Sequence, residues 1–206
     1  MSFIQVISDT FICGPGCVGK TTLLKKYTNV VFTDFFERSK KNPEYLKKGT
    51  NVKFQLLYTL EWFTILNKSP KSPIKKIYDR SPYSDLFYAI IMHSIAENLT
   101  YGAAQKLYYK EIQSFPDWLF DTIHIIFIIP TITCAPLMLE KSIKRDNKID
   151  IMNIGYHHKQ ILFFSILREQ SKYRIGSKFE FIEVTPETIY TDKVNEIFLE
   201  KIRKLK

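Results

Sequence analysis

Apolar residues recur along this chain with two different periods. Short apolar or β-branched runs occur at Thr10–Cys13, Asn29–Thr33, Ile74–Tyr78, Thr122–Pro130 and Phe179–Val184. Each has the length of a strand, and Thr122–Pro130 (TIHIIFIIP) is apolar throughout, as suits a central parallel strand. Between them lie stretches of helical length: Lys20 to Tyr27, Thr50–Asn51 to Leu66, Tyr83 to Asn98, Tyr101 to Ser114, Ala135 to Ile143, Ile151 to Lys172 and Pro186 to Lys206. Phe54, Leu57, Tyr58 and Trp62 share one face of the second of these. Pro82 stands where a first helical turn tolerates it, and the helix after it is apolar on nearly all sides, which predicts burial or a subunit interface. Phe3–Ile7 extends or flanks the first strand, whereas residues 35–49 and 67–73 are charged or Pro-rich and read as irregular. Strands alternate with helices without repeat or linker. The pattern predicts one α/β domain over residues 1–206 with a central five-stranded parallel sheet flanked by helices. Ligands of such sheets bind at the carboxyl ends of the strands. The informative residues are therefore 14–21, Asp34, Asp79–Arg80 and the segment after Pro130.

The first of these is the most telling. Gly14-Pro15-Gly16-Cys17-Val18-Gly19-Lys20-Thr21 fits the phosphate-loop pattern G-x-x-x-x-G-K-[ST] at every fixed position, between a strand and a helix that opens with Thr22. Glycine lets the chain curl so that several backbone N–H groups face a triphosphate, and the following helix adds its partial positive charge. Lys20 is expected on the β- and γ-phosphates of ATP, and the Thr21 hydroxyl on Mg²⁺.

Composition narrows the partners. With 30 Lys and Arg against 21 Asp and Glu, the net charge is +9, which calls for an anionic ligand. The basic residues are dispersed and lack aromatic interleaving, so a nucleotide is favoured over nucleic acid. The odd cysteine set, Cys13, Cys17 and Cys134, fits a reducing cytoplasmic compartment better than a disulfide framework. Residues 1–8 lack a basic signal-peptide region, and Ile123–Pro130 is too short to span a bilayer, so a soluble protein without membrane contact is expected. His157–His158 diverge by about 100° on a helix and lack a partner at ligand spacing, so they read as structural.

The loop alone does not separate kinases, GTPases and ATPases. The D-x-x-G switch of a GTPase is missing after the third strand. Asn147-Lys148-Ile149-Asp150 spells N-K-x-D but follows a charged break instead of a strand. Phosphoryl transfer needs positioning and charge stabilisation. A hydroxyl acceptor needs a carboxylate to orient or take its proton, for which Asp34 at a strand end is the candidate; its plainer reading is a turn cap. Asp79 is a candidate to support Mg²⁺ through water, with Arg80 on that carboxylate or on the phosphate in transfer.

Three stretches join the loop. They are Phe54-Gln55 with Thr59-Leu60, Thr33-Asp34, and Asp79-Arg80-Ser81-Pro82-Tyr83-Ser84-Asp85. In order and spacing they resemble the F-Q-x-x-x-T/C-L, T-E and [ED]-R-S-x-x-S-[AD] motifs of the deoxynucleoside kinase family, which includes cellular deoxynucleoside kinases and herpesvirus-type thymidine kinases. The resemblance implies ATP- and Mg²⁺-dependent phosphorylation of a deoxynucleoside 5′-hydroxyl. It implies catalytic roles for Asp34, Arg80 and Lys20, and phosphate-loop binding of ATP by residues 14–22. It further implies a homodimer formed through the helix after the D-R-S motif. In the acceptor pocket it implies Gln55 reading the base edge, with Tyr45, Tyr58, Asp85 and Arg80. Tyr45 is near the family's tyrosine for the sugar hydroxyl, and the acid Asp85 suggests that thymidine is not used exclusively. The family's base-stacking ring corresponds to Ala89 here, with Phe87 and Tyr88 as substitutes. Its arginine-rich lid corresponds to a shorter, lysine-rich segment of about residues 141–150. There Lys144 and Arg145 are candidates for the ATP phosphates, a solvated face being the alternative, and either Asp146 or Asp150 for the sugar 3′-hydroxyl. A nucleoside monophosphate kinase such as thymidylate kinase is the runner-up; it calls for a second arginine cluster near the second strand, where only Arg38 occurs. A non-catalytic nucleotide binder is disfavoured by the joint presence of Asp34, Asp79 and Arg80.

Overall fold

The computed structural model describes residues 10–27, 30–32, 76–81, 84, 88, 90–91, 93–94, 97–113, 124–145, 154–171 and 178–203. Strands β1 (Thr10–Cys13), β2 (Val30–Phe32), β3 (Ile77–Asp79), β4 (His124–Pro130) and β5 (Lys178–Val184) form one sheet in the order β2-β3-β1-β4-β5. Every neighbouring pair is parallel. β1 is central, so the residues leaving its carboxyl end emerge between the ends of β3 and β4.

The two-residue period of the strands divides the core between the faces of the sheet. Phe11, Ile125, Phe127 and Ile129 point one way and pack with Tyr88, Ile90, Ile91, Tyr108, Phe163 and Phe164. Ile12, Ile126 and Ile128 point the other way and pack with Leu23, Leu24, Met138, Val194 and Phe198. The helices that cover these faces are α1 (Lys20–Leu24), α2 (Tyr101–Ile112), α3 (Ala135–Lys144), α4 (Ile154–Ser171) and α5 (Asp192–Arg203). α4 feeds both cores, Ile161 one and Phe163, Phe164 and Ile166 the other. Between β3 and α2, residues Ser84, Tyr88, Ile90, Ile91, His93 and Ser94 are helical.

Several element ends differ from the periodicity. The first helix stops at Leu24, not Tyr27, because Lys26 and Tyr27 bond back to Leu23 and Leu24 three residues earlier, tightening the last turn. That places Tyr27 edge-on against Phe198, ring centroids 5.3 Å apart, with its hydroxyl 2.8 Å from Asn195 Oδ1. The last helix starts at Asp192, not Pro186. Thr185 and Thr188 close a turn on each other there, and Tyr190 at φ 69° breaks the helical path. β3 reaches one residue further than expected and includes Asp79. α3 continues through Lys144, so the first part of the expected lid segment is helical. Asn98 lies in a turn at φ 49°, outside the helix expected to include it. Residues 3–7, 35–49, 50–66 and 67–73 lie outside the described residues.

Candidate functional site

The loop after β1 takes its shape from three left-handed backbones. Gly14 is at φ 149°, Gly19 at φ 95° and Cys17, which carries a side chain, at φ 61°. A Cβ on Gly14 would stand 2.4 Å from the Ile128 carbonyl oxygen, so β4 itself requires glycine there. Pro15, Cys17 and Val18 are buried, Gly16 and Gly19 are half-buried, and Thr22 is exposed. Lys20 turns back into the loop and donates to the carbonyls of Gly14 at 2.9 Å and Pro15 at 2.6 Å. Burial lowers its pKa to about 8, opposed by the nearby charge of Asp79 and assisted by that of Arg80. The ammonium is thus held in a place that disfavours its charge, and incoming phosphate oxygens would supply what burial removed.

β3 brings its end to the same place. The Thr21 hydroxyl lies 3.5 Å from Asp79 Oδ2. Mg²⁺ takes oxygen ligands, commonly one or two carboxylates together with substrate phosphates, so this half-buried oxygen pair fits it. Arg80 donates its backbone N–H to the Ile12 carbonyl at 2.8 Å and adopts φ 79°, a strained conformation for a residue with a side chain. Its guanidinium lies over the Tyr88 ring, 4.8 Å from the centroid, and the Tyr88 hydroxyl donates to the Gly14 carbonyl at 3.3 Å. Tyr88, one of the substitutes for a base-stacking ring, therefore braces the phosphate loop. The serines of the D-R-S-x-x-S stretch have a structural role. Ser81 N–H donates to Ser84 Oγ at 2.9 Å and Ser84 N–H to Ser81 Oγ at 3.4 Å, a reciprocal cap on the helix that carries Tyr88. Cys13 Sγ lies 2.8 Å from Ser81 Oγ and ties this cap to β1.

The other flank is built by the β5–α5 turn. Tyr190 donates its hydroxyl to the Cys17 carbonyl at 2.5 Å, and its ring covers Gly19. Burial pushes the Tyr190 phenol well above its usual pKa. The Lys141 ammonium stands 5.3 Å from the centroid of the same ring. A cavity of about 160 Å³ opens here, lined in part by Gly19, Thr22, Lys26, Lys141, Tyr190 and Asn195. Of the two expected lid cations, Lys144 is exposed and ion-paired with Glu140 on its own helix. Arg145 is exposed at the end of α3, and its charge is felt at Tyr190.

The fold thus gathers Lys20, Thr21, Asp79 and Arg80 around one loop. Asp34, Tyr45, Gln55, Tyr58 and Asp85 lie outside the described residues, as do Phe87, Ala89, Asp146 and Asp150. Sequence reasoning missed Tyr190 and Gln160. Gln160 Oε1 accepts from the Gly16 N–H at 2.7 Å. Its only signal was a polar residue amid Ile161-Leu162-Phe163-Phe164 and the apolar positions that follow. His157 is buried against Tyr156. Among the described residues no group of three or more His, Cys, Asp or Glu is placed to hold a metal ion. None of the three cysteines is in a disulfide. No helix among the described residues is long and apolar enough to cross a membrane.

No protein-family model matches the chain, and no curated protein matches it. Solved structures do. Deoxyadenosine kinase from M. mycoides with bound dATP superposes with a TM-score of 0.66 at 15% identity, over 95% of this chain and 99% of that one. The same enzyme with the products dCMP and a flexible dCDP gives 0.64, and with bound dCTP 0.62, each at 16% identity over 96% of this chain and all of that one. The chain therefore shares the fold of this deoxyadenosine kinase over 95–96% of its length.

Proposed function

We propose that this protein transfers the γ-phosphoryl group of ATP to the 5′-hydroxyl of a deoxynucleoside. One observation carries the reading. A lysine ammonium, a threonine hydroxyl, a carboxylate and a guanidinium converge at the carboxyl ends of β1 and β3, the set that phosphoryl transfer asks for. In this reading Lys20 exchanges its two carbonyls for phosphate oxygens, and Thr21 and Asp79 hold Mg²⁺. The metal, when bound, neutralises phosphate charge and orients the chain of phosphates. Arg80 is aimed at the loop by its left-handed backbone and by Tyr88. The cavity beside Gly19, Thr22 and Tyr190 continues from the loop and takes the nucleoside end of ATP. Asp34 orients and deprotonates the acceptor hydroxyl, and Gln55 reads the base in a pocket shared with Tyr45, Tyr58 and Asp85. The protein acts as a soluble cytoplasmic homodimer, and its acceptors extend beyond thymidine. The fold shared with a deoxyadenosine kinase over 95% of this chain supports this reading over the other phosphate-loop classes.

The test is transfer of label from γ-labelled ATP to the four deoxynucleosides and to their monophosphates. Label on one or more nucleosides is expected. Label on monophosphates alone would make the protein a nucleoside monophosphate kinase, and ATP binding without transfer to any acceptor would make it a non-catalytic nucleotide binder.

A further inference from the structure

One peptide of the phosphate loop is gripped from both sides. The Pro15 carbonyl accepts from Lys20 Nζ at 2.6 Å, and the N–H of the same peptide unit, on Gly16, donates to Gln160 Oε1 at 2.7 Å. Gln160 comes from the first half of α4, 144 positions along the chain from Gly16, and is fully buried. Because the Gly16 N–H can only donate, its partner on Gln160 is the carboxamide oxygen, which fixes the orientation of the whole group. The other end is then an NH₂ with two donors. It has no hydrogen-bond partner among the described residues.

Buried amide donors in folded proteins are almost always satisfied. The residues that follow Gln160 on α4 are Ile161, Leu162, Phe163 and Phe164, which have no side-chain acceptor to offer. An anchor between α4 and the loop would need only the acceptor oxygen. The donor end is surplus to that purpose, and it sits beside the peptide that Lys20 touches, where Lys20 would meet the β- and γ-phosphates. The loop gives up one N–H to Gln160, and Gln160 offers an N–H of its own in exchange.

We infer that Gln160 is a ligand-binding residue whose Nε2 donates to a phosphate oxygen at the Lys20 end of a bound triphosphate. The inference rests on the proposed binding of ATP in the loop. It also makes α4, the helix that follows the expected lid segment, a direct reader of the phosphate chain.

Gln160→Glu keeps an acceptor for Gly16 but turns the donor into a negatively charged oxygen. Binding of ATP and of AMP to the full chain, each with Mg²⁺, is measured by calorimetry. ATP affinity should fall roughly ten- to a hundredfold in the variant, the range expected for a lost hydrogen bond to a charged group. AMP affinity should change by less than about twofold. Gln160→Met, which removes both ends without burying a charge, should weaken ATP selectively by about tenfold and serves if the glutamate variant does not fold. Wild-type ATP binding with unchanged affinity in both variants overturns the inference alone. Equal weakening of ATP and AMP also overturns it, leaving an anchor for the loop. Failure of the wild-type chain to bind ATP overturns the kinase reading together with this one.

Discussion

At Gly14 two constraints coincide. The backbone is at φ 149°, and any Cβ would overlap the Ile128 carbonyl at 2.4 Å. The overlap is with backbone, which cannot move without disturbing β4. Gly14→Ala should therefore destabilise the chain by more than the ~1–3 kcal/mol of the strained conformation alone, seen as a lower urea midpoint and loss of nucleotide binding. Lys20 behaves in the opposite way. Its buried ammonium is disfavoured by desolvation, so Lys20→Ala removes a cost along with two hydrogen bonds. Of the two carbonyls left behind, that of Gly14 keeps the Tyr88 hydroxyl. Thermal unfolding of Lys20→Ala should stay close to wild type while phosphoryl transfer falls by at least ~10²-fold, as when a preorganised donor to developing charge is removed. A variant that retained turnover would take Lys20 off the phosphates.

At the scale of elements, the site is held by short reciprocal contacts between strand ends and helix starts. Ser81 and Ser84 cap each other at the start of the helix that carries Tyr88, and Tyr88 supports both Gly14 and Arg80. Ser84→Ala should cost about 1 kcal/mol of stability, as lost caps do, and should weaken ATP binding as well, because the helix start positions Tyr88. Loss of stability with unaltered ATP binding would confine the motif to capping. The end of α3 makes a second distinction. Lys144 already neutralises Glu140, whereas the charge of Arg145 reaches Tyr190 at the loop. Arg145→Ala should therefore lower kcat by about tenfold, the worth of one hydrogen bond to a charged group, and Lys144→Ala should have little effect. Steady-state kinetics on the two single variants checks this, and equal kcat values would return both cations to the solvated face.

The described strands form a single parallel sheet, and the loop after β1, the end of β3 and the β5–α5 turn meet beside it in a chain of net charge +9. Lys20 and Thr21 open α1 after the β1 loop, and Asp79 and Arg80 stand at the end of neighbouring β3, so a ligand bound among them joins elements that a folded sheet already holds together. ATP with Mg²⁺ should bind the native state alone. At ~100 times its dissociation constant that adds about 2.7 kcal/mol of stability. For a chain of this length the gain is roughly 5–10 °C in Tm. Adding EDTA should return most of that gain, since Thr21 and Asp79 then face the phosphates without a cation between them. Differential scanning calorimetry with and without chelator reads both effects, and a gain indifferent to EDTA would remove Mg²⁺ from the Thr21–Asp79 pair.

Local pattern determined much of this protein. The strands, the phosphate loop and the Asp79–Arg80–Ser81 segment were legible because period-two burial, glycine spacing and strand-end position are properties of neighbouring residues. Gly14 and Lys20 lie six positions apart, and their contact follows from the loop motif itself. The tertiary structure decided what comes to the loop from afar. Tyr190 reaches the Cys17 carbonyl across 173 positions, and Gln160 reaches Gly16 across 144. Tyr27, just past the first helix, meets Phe198 across the chain in the same way. Such contacts depend on how each helix is rotated about its axis when it docks on the sheet. A polar residue in an apolar helix looks the same in sequence whether that rotation turns it toward water or toward a phosphate loop.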